Sequence, residues 1–325
     1  MKNLKRRGYD AAVLENRDRP DILVTLSLDH GKWSEFCMDC KVAGSVLILD
    51  LAENEFERSA KLTKKKFRSF FNPEKLYPGN MWSRVPGFFR RSRFDKGFYQ
   101  LVETSTAITA SSNVILKDAL KFNENSFFIP DSMDLSIYTQ KKTHTKVERP
   151  TIGWIGMPNS LGYLLQINGP LQYLQKEYGA RVVLISDWKC SMPFMKAVDR
   201  FMFEYEPINW DLATVESDLL EMDIAVTPLP PESYKSFNKV LTFWAACQPV
   251  VASPTEEYKS VIEHGLNGFL ASTYDDWVKC LEELIFDEKL RGRMGEEGYR
   301  KASSTFNLDS VAERYIEIFE ELTAK

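Results

Sequence analysis

Two lysines, Lys235 and Lys239, stand four residues apart just beyond the apolar run DIAVTPL (223–229). Residues at that spacing share one face of a helix. The run reads as a strand, so the pair is expected at the mouth of a sheet, where ligands of parallel α/β sheets bind. Two ammonium groups there suit a diphosphate, which needs cationic side chains and the N–H groups of a helix start. Where a diphosphate leaves without a metal, offsetting its charge is the main catalytic requirement. That chemistry assigns Lys235 and Lys239 as catalytic residues; the plain alternative is a pair of solvated surface lysines. Gly156 ends a second apolar run, TIGWIG (151–156). A glycine there lets backbone approach phosphate, or simply makes a turn. Asn159 and Ser160 follow it and suit the cap of the next helix.

The first half of the chain offers fewer such groups. His30, one of three histidines, follows DILVTLSLD and precedes Gly31. It reads as a site residue at a strand's carboxyl end or as a loop histidine. Asp50 and Glu53 come at the end of the next strand, SVLILDL (45–51). They suit an acceptor hydroxyl or a base, and Asp50 equally suits a helix cap. Residues 61–100 hold eleven Lys or Arg against Glu74 and Asp95, interleaved with aromatic side chains. Such a segment fits an anionic membrane, a nucleic-acid backbone or an anionic acceptor, or is a solvated charge run. We read it as an acceptor-side or membrane-surface element, with Arg90 and Arg91 as its acceptor contacts. Cys37 and Cys40 have metal or redox spacing but no second pair to complete a site, and are read as semi-buried helix packing.

Strands and helices must position these groups. In the first half, AAVLE (11–15), DILVTLS (21–27), SVLILDL (45–51), TAITA (106–110) and SFFIPD (126–131) read as strands. KWSEFCMDCKVAG (32–44) and SSNVILKDALKF (111–122) read as helices between them. In the second half TIGWIG, RVVLIS (181–186), FMFEYEPI (201–208), DIAVTPL and QPVVAS (248–253) read as strands. Helices are expected within 161–179, over VLTFWAAC (240–247) and EEYKSVIEHG (256–265), and in the tail. This alternation predicts two parallel α/β sheets in tandem. The polar stretch KKTHTKVERP (141–150) sets the boundary, giving domains 1–148 and 149–325, with the basic–aromatic insertion near 61–100 and a final helix that crosses back.

The chain has 325 residues, enough for two domains at roughly 150 each. With 44% hydrophobic and 27% charged residues and a net charge of −4, it is an ordinary globular protein. That balance argues against a nucleic-acid binder as a whole. No apolar run approaches the roughly 18 residues that cross a bilayer. MKNLKRRGYDAAVLE lacks the apolar core of a secretory signal. Five cysteines in a long chain do not make a disulfide framework, so a cytoplasmic place is expected, with peripheral membrane contact through 61–100.

The stretch 223–272, DIAVTPLPPESYKSFNKVLTFWAACQPVVASPTEEYKSVIEHGLNGFLAS, resembles the donor domain of retaining glycosyltransferases of the family-4 type (glycosyl transferases group 1). Its marks are a strand ending in Pro-Leu, a lysine-bearing helix, a Pro-Val-Val strand and an Asn-Gly turn. Ile155-Gly156 with Pro158-Asn159 is similar to the opening turn of that domain, and 281–307 to its closing helices. The first half is collinear through Asp50–Glu53, TASSNVILKDAL and IPDSMD (129–134).

The resemblance implies a GT-B fold: two Rossmann-like parallel-sheet domains facing a cleft, here with the N-terminal domain shortened, since the usual first strand and glycine-rich loop are not found. It implies a soluble, metal-independent enzyme moving a sugar from a nucleoside diphosphate sugar, UDP- or GDP-linked, to an acceptor hydroxyl with retention. The acceptor would be a glycan or a lipid-linked glycan. The donor contacts implied are Gly156, Asn159, Ser160, Asp187, Trp188, Tyr234, Asn238, Thr242, Glu256 and Glu257, with His30 touching the donor sugar. Asp187 and Trp188 fall where the nucleobase usually sits, and Glu256 and Glu257 where a loop approaches the sugar. The sequence departs from the pattern where many relatives carry two glutamates eight positions apart: here these are Tyr234 and Thr242. That leaves the ribose contact and the identity of the sugar open. A glycosyltransferase acting on modified DNA and a catalytically weak nucleotide- or glycan-binding module are the alternatives. A dehydrogenase is disfavoured, because no G-x-G-x-x-G follows a strand.

Overall fold

The computed structural model describes residues 22–26, 33–52, 98–189 and 195–324. His30, Glu53, Arg90, Arg91, the run 11–15 and the basic segment up to residue 97 lie outside the described residues. The chain divides into two compact units. One ends at Pro130 and takes in Ala312–Lys325; the other is Asp131–Val311.

The first unit has four described strands: β1 (Ile22–Leu26), β2 (Val46–Leu51), β3 (Ala107–Ala110) and β4 (Ser126–Phe128). They pair in parallel in the order β1-β2-β3-β4, in a register that sets Leu49 beside Thr25 and Ile108. The helices α1 (Trp33–Val42) and α2 (Asn113–Ala119) make the crossovers on either side of a helical stretch over 98–104. Ser112 caps α2, its hydroxyl accepting from the Ile115 N–H at 3.2 Å. Cys37 and Cys40 are fully buried on α1, with Leu47, Leu49, Phe98 and Ile108 around them. Burial pushes the Cys37 thiol up, which makes it a packing group rather than a nucleophile.

The second unit holds a six-stranded parallel sheet: β5 (Thr151–Ile155), β6 (Arg181–Ser186), β7 (Glu206–Asn209), β8 (Ile224–Thr227), β9 (Val250–Ala252) and β10 (Phe269–Leu270). Its order is β10-β9-β8-β5-β6-β7. Every residue of β5, β8 and β9 is buried, which is why these strands are continuous apolar runs rather than alternating ones. Around the sheet lie α3 (Asn168–Tyr178), α4 (Val215–Leu220), α5 (Asn238–Ala245), α6 (Glu256–Val261), α7 (Tyr274–Phe286), α8 (Glu288–Thr305) and α9 (Leu308–Thr323), the last entering the first unit from Ala312. Among the described residues no helix is long and apolar enough to cross a membrane.

Two expectations are corrected in this unit. The run 201–208 is a strand only from Glu206; before it Phe201 and Phe203 stack on each other at 4.7 Å, which bends the chain away from the sheet. Neither Asn159 nor Ser160 caps a helix. Residues Pro158–Ile167 form a 3₁₀ run whose cap, Met157, makes no side-chain bond, and the buried Ser160 hydroxyl donates instead to Asn159 Oδ1 at 3.2 Å.

The division of the chain at Pro130 comes earlier than the boundary at 148 read from polarity. The polar stretch 131–145 is a strap along α5. The Lys141 N–H donates to Ala246 O at 3.0 Å, and Lys141 Nζ bonds Met222 O at 2.5 Å and Asp223 at 3.3 Å. His144 Nε2 reaches Cys247 O at 3.3 Å, and the fully buried Arg291 donates to Thr145 O, Leu284 O and Ile285 O. These polar residues therefore satisfy buried backbone carbonyls, and their polarity is no sign of a free linker. Helix α8 crosses α5 without side chains at two points. A Cβ on Gly295 would lie 2.0 Å from Cys247 O, and one on Gly298 2.2 Å from Trp244. Cys247 itself sits at φ 56°, the left-handed turn that ends α5.

Gly295→Ala is expected to cost about 1–3 kcal/mol or more, because the methyl meets backbone. A urea midpoint equal to that of the parent would refute the close crossing. Burial, with Lys141 and Arg291 nearby, pushes the His144 imidazole down from 6.5 to about 4. Between those values the unfolded chain takes the proton and the folded one does not, so stability falls as pH drops from 6.5 towards 4. His144→Gln keeps a donor for Cys247 O and is expected to flatten that limb of the melting-temperature profile.

Candidate functional site

The chain leaves β5 towards β6 and β7 and returns to β8 on the other side of β5. The sheet therefore has its topological switch point between β5 and β8, and the crevice at their carboxyl ends is where open α/β sheets bind ligands. Gly156 follows β5 there, and the loop from β8 leads through Lys235 to α5, which carries Lys239.

Lys239 lies against the β5 end. Its Nζ is 4.3 Å from the centroid of the Trp154 ring, within cation–π range. A Cβ on Gly156 would lie 2.4 Å from this Nζ and 2.6 Å from the Trp154 ring. Gly156 is thus the residue that makes room for the ammonium. Its own N–H donates to Ile185 O at 3.0 Å, so it offers no donor to a phosphate. The Lys239 residue keeps some exposure, but its charged end is packed against ring and backbone. Burial pushes it down from 10.5 to about 7, and the like charge of Lys235 adds to the effect. Among the described residues no carboxylate pairs with either lysine. Lys235 is not on the helix, as the spacing predicts, because α5 begins at Asn238. It precedes the helix, with its N–H on Ser233 Oγ at 3.2 Å and its Nζ 6.0 Å from the Tyr163 ring centroid.

The other residues expected to contact a donor are spread along the same edge of the sheet. Asn238 is exposed at the start of α5, and Tyr234 is half-buried in the loop before it. Thr242 is engaged: its hydroxyl donates to Asn238 O at 3.1 Å. Asp187 is exposed beyond β6 and accepts the Lys189 N–H at 3.1 Å. Trp188 is tied inward. Its Nε1 donates to Leu184 O and Ile208 O at 3.1 and 2.9 Å, and its ring stacks on Tyr205. Glu256 is exposed and Glu257 fully buried in the first turn of α6, which Thr255 caps. In the first unit Asp50 accepts from Thr109 Oγ1 at 2.7 Å and Tyr315 OH at 3.3 Å.

Three residues at this site were not among the sequence candidates. Trp154 supplies the ring under Lys239; its position two residues before Gly156 on the same strand was the available signal. Asp131 and Ser236 form a hydrogen bond beside the lysines, and only the IPDSMD motif pointed towards it. Near the same strand ends, Trp154 Nε1 and Ser186 Oγ are buried without a protein partner, a rare state for polar atoms. A groove of about 1050 Å³ lies elsewhere, at the amino ends of β6 and β7, with Arg181, Phe203 and Glu206 in its wall. It is at the edge of the sheet opposite the carboxyl ends of β5 and β8.

The Lys239 pKa has a sign that can be measured. Between about pH 7 and 10.5 the unfolded chain holds a proton that folded Lys239 releases, so through this group stability rises with pH across that window. Lys239→Met removes the desolvated charge. It is expected to be more stable than the parent at pH 6, by on the order of 2 kcal/mol, with the gap closing towards pH 10. A gap that does not change with pH in urea titrations would show that the ammonium is solvated.

No protein-family model matches the sequence, and no curated protein matches it. Solved structures do match its fold. HepE of Anabaena, in complex with UDP-glucose, is similar at 13% identity and a TM-score of 0.64, over 94% of this chain and 79% of that one. A glycosyltransferase from Rickettsia africae is similar at 12% identity and a TM-score of 0.58, over 93% and 98%. Sucrose-phosphate synthase from Thermosynechococcus elongatus is similar at 11% identity and a TM-score of 0.62, over 99% and 76%. At such identities the likeness is one of fold alone: the two parallel sheets of this chain match the GT-B fold of these structures.

Proposed function

We propose that the chain is a glycosyltransferase that moves a sugar from a nucleoside diphosphate sugar to an acceptor hydroxyl, with retention and without a catalytic metal. The observation that carries this reading is the Lys235–Lys239 pair at the switch point of the second sheet, with no carboxylate paired to it among the described residues. In the reaction the bond between the anomeric carbon and the diphosphate oxygen breaks, and its electron pair leaves with the diphosphate. The acceptor oxygen bonds the same carbon, and its proton passes to the departing phosphate or to water. Negative charge grows on the bridging oxygen, and Lys239 offsets it from a site of low dielectric. Lys235 adds a second positive charge. The UDP-glucose and UDP held by HepE support a uridine-linked donor, and a GDP-linked sugar suits the same two lysines. The acceptor we favour is a glycan or lipid-linked glycan. A nucleotide-binding module without turnover is the second reading; the bond of Thr242 to Asn238 O favours it, because that hydroxyl proton is already used.

A thermal-shift panel of UDP, GDP, ADP and their sugars tests the site. A ligand at a hundred times its dissociation constant adds about 2.7 kcal/mol, and UDP or GDP is expected to do so. With the matching sugar, Lys239→Ala is expected to lower kcat/KM by about 100-fold while the melting temperature holds. Parallel loss of folding and activity would remove Lys239 from the chemistry. Tight nucleotide binding with neither transfer nor donor hydrolysis would favour the module.

A further inference from the structure

The strap 131–145 begins at the loop that carries the lysines. Asp131 Oδ2 accepts the hydroxyl of Ser236, which lies between Lys235 and Lys239 in sequence. Two residues on, the Met133 N–H donates to Phe306 O at 2.8 Å. The buried Phe237 ring packs on Phe306 with centroids 5.0 Å apart. Strap and loop are thus fastened to one point of the core, and the Asp131–Ser236 bond joins them across it. Further along, Lys141 and His144 bond the carbonyls of Ala246 and Cys247 just past the end of α5.

The chemistry of Asp131 is unusual for its place. Burial holds its carboxyl above the usual range, and the Ser236 hydroxyl works against that effect. Among the described residues no cation pairs with it. A carboxylate bonded to Lys235 or Lys239 would cancel the charge that a diphosphate needs. A carboxylate that accepts a hydroxyl can hold the loop and leave both ammonium groups unneutralised.

We propose that Asp131 is a positioning residue of the two-lysine site: by accepting the Ser236 hydroxyl it fixes the turn that aims Lys235 and Lys239 at the carboxyl end of β5. This rests on the donor-site reading above. It assigns no contact between Asp131 and the donor.

The test is a double-mutant cycle on the full chain, read by UDP affinity in calorimetry. Asp131→Ala and Ser236→Ala are each expected to weaken UDP about tenfold, which is about 1.4 kcal/mol. The double variant should be no weaker than either single one, because both remove the same bond. Asp131→Asn keeps an acceptor oxygen and should bind within about twofold of the parent. Full affinity in Asp131→Ala, or losses that multiply in the double variant, would overturn the proposal. A purely structural role would instead lower the melting temperature of Asp131→Ala and leave the affinity of its folded fraction unchanged. Should the parent bind no nucleoside diphosphate, the donor-site reading falls, and competitive acetylation with mass spectrometry decides on Asp131 separately. Loss of the depressed Lys239 titration in Asp131→Ala and Ser236→Ala, with its retention in Asp131→Asn, would support the positioning role. An unchanged titration in all three would end it.

Discussion

A buried ammonium that pairs with no carboxylate among the described residues organises the second half of this protein. Lys239 is held against Trp154 where the two halves of the sheet part. Leaving a charge unpaired in such a place is costly, and the fold meets that cost with neighbours chosen for size. Glycine at 156 yields the space, and the indole face of Trp154 supplies a soft negative potential at close range. The arrangement makes little sense as packing alone, since a leucine would fill the position without penalty. It makes sense if the position serves to bind an anion, which would give the desolvated charge its partner.

Much of the architecture could be read before any coordinates. Fully buried parallel strands are written as uninterrupted apolar runs, so TIGWI, RVVLIS, IAVT and QPVVAS are visible one after another. The run 201–208 misleads because its aromatics fold back on one another, and periodicity cannot separate a strand from an apolar loop of that kind. The 3₁₀ turn at Pro158–Ile167 was likewise hidden: Asn and Ser after a glycine suggest a capped helix, but here the serine hydroxyl turns to its neighbour.

The site was legible only in part, for a definite reason. Lysine spacing identifies the cation, and a glycine after a strand identifies the close approach. Their mutual contact is a matter of three dimensions. The ring beneath the ammonium comes from a different strand, and the carboxylate that braces the loop lies 105 residues before Ser236. The polarity of 141–150 was read as a domain boundary, whereas Lys141 and His144 there bond the carbonyls of Met222 and Cys247. Thr242 shows the same limit: its type suggests a free hydroxyl, and its surroundings show a used one.

The glycine crossing of α5 and α8 has a mechanical consequence. Where helices meet through leucines, the side chains can rotate and let one cylinder slip along the other. Here Gly295 brings main chain directly against main chain at Cys247, and no compliant layer lies between. A slide of one residue in α8 would put the Cβ of Met294 or Glu296 where only a hydrogen fits. The helix that bears Lys239 is therefore locked in register from its far end, as a rigid rod clamped at the base. Any adjustment of the site to cargo of different size must come from the loops after the strands, and variation in substrate among proteins built this way should be concentrated there.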